Sequence, residues 1–200
     1  MGDSVPHRHF AAQAVFAPAP AVVRYGDGRV SEGRCLLIEP NVAHRLEACE
    51  QAEIFFVEPT GRAQPSPPLR DRICAALPPG LIGPGFWSDW IDRPGRPPID
   101  PRIALAAASL DARLAGGAVR LADIAGPTGL SEGRLRHLFA AEIGAPFRRY
   151  VLWRRLRAAI MALQTGEGLT GAAHDAGFAD AAHLARTIKR MFGIRAGDAF

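Results

Sequence analysis

The stretches AGPTGLSEGRLRHLFAAEIG (residues 125–144) and AHDAGFADAAHLARTIKRMFG (residues 173–193) decide the fold of the C-terminal half. In each stretch an alanine is followed four residues later by a glycine, and an apolar residue comes directly after that glycine. Apolar residues then recur at the spacing of an amphipathic helix, and the second stretch has one extra residue between its glycine and its helix. The two stretches are therefore copies of one structural unit.

The shared residue types fit a helix-turn-helix. The alanine is small enough for two short helices to cross closely. Gly129 and Gly177 suit a tight turn, because glycine adopts a positive φ at little cost. Ser131 and Asp180 then suit the N-cap of the second helix. The sequence predicts second helices near residues 131–143 and 180–192.

The segment between the copies, residues 146–166, predicts one long helix that begins near a proline and ends at a glycine. About 19 helical residues make a rod of about 28 Å. One turn of B-DNA is roughly 34 Å long, so this rod would hold two helices in successive major grooves. An earlier helix is predicted to begin at the N-cap Asp100 and to end near residues 116–117.

The distribution of charge agrees with a polyanionic partner for the C-terminal half. Residues 1–100 hold 10 arginines and 12 acidic residues, whereas residues 101–200 hold 13 arginines, one lysine and 8 acidic residues. No apolar run reaches the roughly 18 residues of a membrane span. Three cysteines without a CxxC pair, and a start unlike a secretory signal, predict a cytoplasmic protein without disulfides.

The N-terminal half predicts short strands. The runs AQAVFA, AVVRY, RCLLIE and AEIFFVE, within residues 11–58, are apolar and partly alternating. Pro18 and Pro20 separate the first two runs. Residues 59–98 are rich in proline and glycine and predict a connector with one helix over 69–77, next to an aromatic cluster expected to pack.

Residues 100–200, which hold these motifs, resemble the DNA-binding domain of the AraC/XylS family of transcription regulators. The matching pieces are LADIAGPTGLSEGRLRHLF, GAPFRRYVLWRRLRAA and AAHDAGFADAAHLARTIKRMFG. The resemblance implies an α+β protein: a small antiparallel cupin-like β region (1–60), a connector (61–98) and an all-α double helix-turn-helix domain (99–200). It also implies a regulator that binds duplex DNA and is not an enzyme.

The resemblance assigns candidate DNA contacts by position. The candidates for base contact are Glu132, Gly133, Arg136, His137, Ala181, Ala182, His183, Ala185 and Arg186. The candidates for phosphate contact are Arg148, Arg154, Arg155, Lys189 and Arg190. An arginine can bind guanine with two hydrogen bonds, whereas alanine offers only a methyl group, so we expect the first helix to contribute more sequence preference than the second.

Three positions depart from the family pattern. Pro127 falls in the first helix of the first unit, where proline removes a backbone donor and is expected to shorten the helix. Gly133 stands where a larger base-contacting side chain is common, and Ala196 replaces a proline after the last helix. We expect the first departure to affect the geometry of the first unit most.

His7, His9 and His44 resemble the ligand set of metal-binding cupins, in which an HxH pair and a later histidine converge. An acidic fourth ligand is missing, and Gln13 lies near its place. Because the β region is also short, we expect structural histidines, with no metal and no cofactor.

Two alternatives stay open at this point. One is a metal-dependent cupin-type enzyme with a helical accessory domain, and the other is a protein-interaction module that has lost DNA binding. Besides duplex DNA, the candidate partners are a small-molecule effector, RNA polymerase and a second copy of the chain; no membrane partner is expected.

Overall fold

The computed structural model describes residues 4–58, 66–77, 85–92, 99–114, 117 and 119–198. They form an antiparallel sheet followed by helices, which confirms the predicted α+β class. The strands and helices, in chain order, are β1 (Ala12–Tyr25), β2 (Val30–Ile38), β3 (His44–Leu46), β4 (Glu53–Val57), α1 (Pro67–Ala76), α2 (Phe86–Asp92), α3 (Pro101–Arg113), α4 (Leu121–Thr128), α5 (Glu132–Ile143), α6 (Phe147–Gln164), α7 (Leu169–Asp175) and α8 (Ala181–Phe192).

The chain divides into two compact units. The first comprises residues 1–96 with 189–199, and the second comprises residues 97–188 with the last residue. The predicted domain limits at residues 60 and 98 stay a prediction. Among the described residues, no helix has both the length and the apolar character that crossing a bilayer requires.

The sheet of the first unit is built around β1. Strand β2 pairs with one edge of β1, while β4 and β3 pair with successive parts of its other edge, all antiparallel. The predicted break at Pro18 and Pro20 is wrong, since β1 runs through both prolines. Its register with β2 shifts between Phe16 and Ala21, so the prolines lie where regular pairing is interrupted and no ladder donor is needed.

The described part of the predicted connector, residues 66–77 and 85–92, contains two helices. Helix α1 agrees with the helix expected over 69–77, but α2 was not predicted as a helix. Its side chains Trp87, Trp90 and Ile91 are buried in one cluster with Ile73 of α1 and Phe16 of β1. The aromatic cluster therefore serves packing, as expected, and covers one side of the sheet.

The second unit is helical. Helix α3 begins as predicted, with Asp100 accepting a hydrogen bond from the backbone N–H of Arg102. Its residues Ile103, Ala106 and Leu110 are buried, at the three- or four-residue spacing of one helix face. The helix ends at Arg113, shortly before the glycines expected to stop it.

Candidate nucleic-acid interface

The first helix-turn-helix consists of α4 and α5. Ala125 is buried, which agrees with its expected place at the helix crossing. Gly129 follows α4 with a φ of 69°, the left-handed conformation predicted for the turn. Ser131 is the N-cap of α5, and its hydroxyl accepts the backbone N–H of Arg134 at 3.3 Å. The predicted turn chemistry of this copy is confirmed.

The second helix-turn-helix consists of α7 and α8, and it has the same buried alanine, turn glycine and N-cap as the first. Ala173 is buried, and Gly177 has a φ of 72°. Asp180 caps α8, because its Oδ1 accepts the backbone N–H of His183 at 2.6 Å. Three residues separate Gly177 from α8, whereas two separate Gly129 from α5, so the extra residue predicted for the second copy is present.

The expectation that Pro127 shortens α4 is wrong. Helix α4 spans eight residues and α7 spans seven, although proline lies in the last turn of α4. The buried hydroxyl of Thr128 donates a hydrogen bond of 2.7 Å to the carbonyl oxygen of Ala125. This bond satisfies an acceptor at the helix end, where carbonyls lack helical partners.

Helix α6 links the two helix-turn-helix units as the predicted rod. It spans 18 residues, starts after the N-cap Pro146 and is followed by Gly166 with a φ of 90°. Its buried residues recur at a three-residue spacing: Phe147, Tyr150, Trp153, Leu156 and Ala159. Trp153 therefore belongs to the core of this unit.

The candidate base contacts differ in exposure between the two helices. On α5, all four candidates (Glu132, Gly133, Arg136 and His137) are exposed, while Leu135, Phe139 and Ile143 are buried on the opposite face. On α8, Ala182 and Arg186 are exposed, whereas Ala181, His183 and Ala185 are partly buried. The ring of His183 also packs edge-on against Phe178, with 5.2 Å between centroids.

The candidate phosphate contacts fall into two groups. Arg148, Lys189 and Arg190 are exposed. Arg154 and Arg155 are partly buried and bind protein groups: Arg154 forms an ion pair of 2.7 Å with Asp111, and Arg155 donates a hydrogen bond to the carbonyl oxygen of Gly117. The sequence alone did not indicate these two internal contacts.

The three N-terminal histidines converge in the first unit. His7 and His44 form an isolated antiparallel bridge with two backbone hydrogen bonds of 2.9 Å. Ring centroids lie 4.4 Å apart for His7 and His44, and 5.1 Å apart for His9 and His44. Gln13 lies against this cluster, with its Oε1 2.8 Å from Nε2 of His9 and 3.3 Å from Nε2 of His44.

Burial keeps these imidazoles neutral. Loss of solvation, followed by repulsion from His44, lowers the pKa of His7 to about 3 and that of His9 to about 4. Loss of solvation also lowers the pKa of His44. All three rings are therefore uncharged near neutral pH, which is the form in which imidazole binds a metal.

The first unit also contains a cavity that the sequence did not predict. Its volume is about 1290 Å³, and β1, β2, α1 and α2 contribute side chains that include Phe16, Leu37, Arg72 and Trp87. Among the described residues, the buried indole Nε1 of Trp87 has no hydrogen-bond acceptor. Trp87 comes from the connector, so only the folded chain reveals its place in the cavity wall.

Comparison with known proteins gives one family match. The family model described as a helix-turn-helix domain matches residues 124–199, which include α5 to α8. A comparison with curated protein sequences finds no match.

Solved structures give matches over the helical half and over the whole chain. An AraC-type DNA-binding regulator from Chromobacterium violaceum shares 26% identity over 49% of this chain and 88% of its own, with a TM-score of 0.46. ToxT from Vibrio cholerae shares 13% identity over 99% of this chain and 94% of its own, with a TM-score of 0.58. ToxT with bound unsaturated fatty acid shares 11% identity over 96% and 88%, with a TM-score of 0.57.

The likeness to ToxT shows a shared fold that includes the sheet and the helices. The family match runs from within α4 to beyond α8 and includes both turns, which have the predicted glycine conformations and caps. Residues 124–199 therefore match a helix-turn-helix domain, which agrees with the paired helix-turn-helix units predicted from the sequence.

Proposed function

We propose that this chain is a sequence-specific, DNA-binding regulator of transcription that inserts α5 and α8 into successive major grooves. The observation that carries the proposal is the duplicated helix-turn-helix within a family-matched segment, with polar and small side chains exposed at the start of both second helices. The family match supports a regulator over the alternative of a metal-dependent cupin-type enzyme, because it describes a DNA-binding type of domain and no reaction.

The length of α6 supports simultaneous binding in two grooves. Its 18 residues correspond to a rod of about 27 Å. Successive major grooves on one face of B-DNA lie roughly 34 Å apart. Helix α5 leads into this rod, and α8 follows it after α7, so a rod of this length is compatible with two second helices in successive grooves on one face of the duplex.

The two helices have different tasks in this proposal. Arg136 is exposed near the start of α5 and provides a bidentate donor for guanine, which is worth about 1–3 kcal/mol of base discrimination. On α8, Arg186 is the exposed candidate of this kind, and the neighbouring alanines provide only methyl contacts. The exposed Arg148, Lys189 and Arg190 supply attraction to phosphates without sequence preference.

We further propose that the cavity of the first unit binds a small-molecule effector. A volume of about 1290 Å³ exceeds the roughly 300–1,000 Å³ of typical ligand sites. Its wall combines aromatic and aliphatic side chains with the guanidinium group of Arg72. An elongated, mainly apolar molecule with a hydrogen-bond acceptor fits this chemistry, and ToxT, which shares the fold, has been solved with an unsaturated fatty acid. RNA polymerase and a second copy of the chain stay predicted partners.

DNA selection with the purified chain tests the proposal. Random duplexes are selected through several rounds of binding, and the affinity for the winning site is measured by fluorescence anisotropy between 50 and 200 mM salt, roughly the range over which phosphate contacts change affinity most. We expect one enriched site with two conserved halves and a steep loss of affinity as salt rises. Binding that shows no enrichment would contradict sequence specificity, and absence of binding to any duplex would support an interaction module instead.

A further inference from the structure

We propose that His7, His9 and His44 form a binding site for one divalent transition-metal ion, with the side-chain carbonyl of Gln13 as an oxygen ligand. It replaces the expectation of purely structural histidines drawn from the sequence, because the structure brings the three rings together beside Gln13. The inference stands apart from the proposed function, because it concerns the sheet unit and needs no DNA. One ring nitrogen from each histidine lies within 4.8 Å of the other two.

Backbone carbonyls fix the orientation of the three rings. The Nδ1 atom of His7 lies 2.8 Å from the carbonyl oxygen of Val5, that of His9 lies 2.7 Å from Ala11, and that of His44 lies 2.9 Å from Val42. A carbonyl oxygen can only accept, so each Nδ1 carries the proton. A neutral imidazole has a single N–H, and each Nε2 therefore presents a lone pair.

This arrangement matches the support that metal-binding histidines receive. A histidine ligand commonly donates its other ring N–H to a carbonyl or carboxylate, which fixes both tautomer and ring direction. Here all three rings have such a partner, each two residues away along the chain. Any buried imidazole N–H needs an acceptor, and the choice of Nδ1 for this bond in all three rings leaves each Nε2 available to bind an ion.

The contact with Gln13 also supports a metal site. Its Oε1 faces Nε2 of both His9 and His44, at 2.8 and 3.3 Å. Three acceptors thus converge, and no proton lies between them if the rings have the tautomer that the carbonyls impose. A cation among these atoms satisfies all of them. The competing arrangement turns the amide of Gln13 so that its NH₂ group donates to both rings.

The ligand chemistry selects the class of metal. Imidazole nitrogens suit zinc, copper, nickel and iron, whereas magnesium and calcium prefer carboxylate, carbonyl and water oxygens. Tetrahedral bonds of about 2.0–2.1 Å place the ligand nitrogens roughly 3.4 Å apart, so the cluster needs to contract by about 1.4 Å at most. Small ring rotations supply such a movement.

Cobalt titration of the untagged, chelator-treated full chain tests the site. We expect one Co²⁺ per chain with the visible spectrum of a nitrogen- and oxygen-ligated ion, displaced by Zn²⁺ and unaffected by Mg²⁺. A thiolate charge-transfer band would assign the metal to a cysteine and overturn the proposal. Binding of less than one equivalent, or none, would also overturn it and would support a metal-free hydrogen-bonded cluster.

Single substitutions locate the ion. His7→Gln, at the most exposed of the three histidines, should weaken binding by at least about 100-fold, because even outer partners of a site change affinity by 10–100-fold. His174→Gln is the matched control, since that side chain is 90% exposed and lies in the second unit, and it should bind normally. Equal binding by both variants would exclude the site.

Nuclear magnetic resonance tests the ligand set on the unaltered chain, so the test does not depend on whether a variant folds. Long-range ¹H–¹⁵N spectra of the unaltered chain should show three imidazoles with protonated Nδ1, and Zn²⁺ should shift their Nε2 signals. Unchanged Nε2 signals in the presence of bound zinc would contradict the proposed ligand set.

Discussion

The substitutions Gly129→Ala and Gly177→Ala compare the two helix-turn-helix turns. Both glycines have a positive φ, of 69° and 72°. In this conformation alanine costs about 1–2 kcal/mol, partly offset by about 0.4–1 kcal/mol from a more restricted unfolded chain. A Cβ at Gly129 would meet nothing within 4 Å, whereas one at Gly177 would lie 2.9 Å from the carbonyl oxygen of Leu114 and 3.3 Å from Nε of Arg155.

The two substitutions should therefore differ in cost. Gly129→Ala should lower the free energy of unfolding by about 1 kcal/mol, which is the net conformational term. Gly177→Ala adds about 1–3 kcal/mol of overpacking, because the closest atom belongs to the backbone and cannot rotate away. The expected loss at Gly177 is then about 2–4 kcal/mol.

Urea unfolding followed by far-ultraviolet circular dichroism measures both losses. Hydrogen exchange of peptides from residues 119–188 assigns the change to the helical unit. The wild type and Gly133→Ala serve as controls, since Gly133 lies within α5 and a Cβ there also meets nothing within 4 Å. Equal losses at Gly129 and Gly177, or a larger loss at Gly129, would refute the packing described for the second turn.

The remaining predictions concern the caps, the phosphate contacts and the histidine cluster. Ser131→Ala should cost about 1 kcal/mol in urea unfolding, because the N-terminus of α5 loses its hydroxyl acceptor, and no loss would contradict the observed cap. Arg148→Ala should weaken binding to all duplexes alike and reduce the slope of log affinity against log salt by about 1. Arg154→Ala, which the sequence predicts to act likewise, should also reduce stability, because Arg154 pairs with Asp111. A change in base preference in either variant would assign that residue to base contact. Stability of the metal-free chain should fall as pH drops below about 6.5, because the unfolded histidines take up protons while burial holds the pKa of His7 and His9 at about 3 and 4 in the folded state. Urea midpoints between pH 7 and 4 measure this trend, and a flat profile would contradict neutral, buried rings.

Local signals made the helical half predictable. A turn of the helix-turn-helix type needs a glycine, a cap and a small residue at fixed offsets, and all of these lie within a few positions of one another. Gly129, Gly177 and Ser131 could therefore be assigned before the structure was known, and their conformations agree. The effect of Pro127 was misjudged, because α4 continues through this proline to Thr128 and ends at Gly129.

Features that depend on distant contacts were harder to predict. Strand β1 continues through Pro18 and Pro20 because its partner strand tolerates a shift of register there, which no local rule reveals. Helix α2 is short and is stabilised by burial of Trp87 and Trp90 against residues far along the chain. The convergence of His7 and His44 likewise depends on pairing across 37 positions of sequence.

The candidate contacts to DNA also divide into those set by local sequence and those set by distant contacts. The sequence assigned Arg136 and Arg186 to exposed positions of α5 and α8, where the structure has them. It could not show that Arg155 donates to the carbonyl of Gly117, since that contact joins α6 to a segment 38 residues earlier. Position on a helix follows from periodicity, whereas the engagement of a long side chain depends on tertiary structure.

Methylation interference on the selected site tests the two-groove proposal most directly. We expect two clusters of essential guanines or adenines about 10 base pairs apart on one face of the duplex. Arg136→Ala should remove only the cluster that α5 contacts, and Arg186→Ala only the other. A single cluster, or loss of the same cluster with both variants, would contradict binding by two helices held apart by α6.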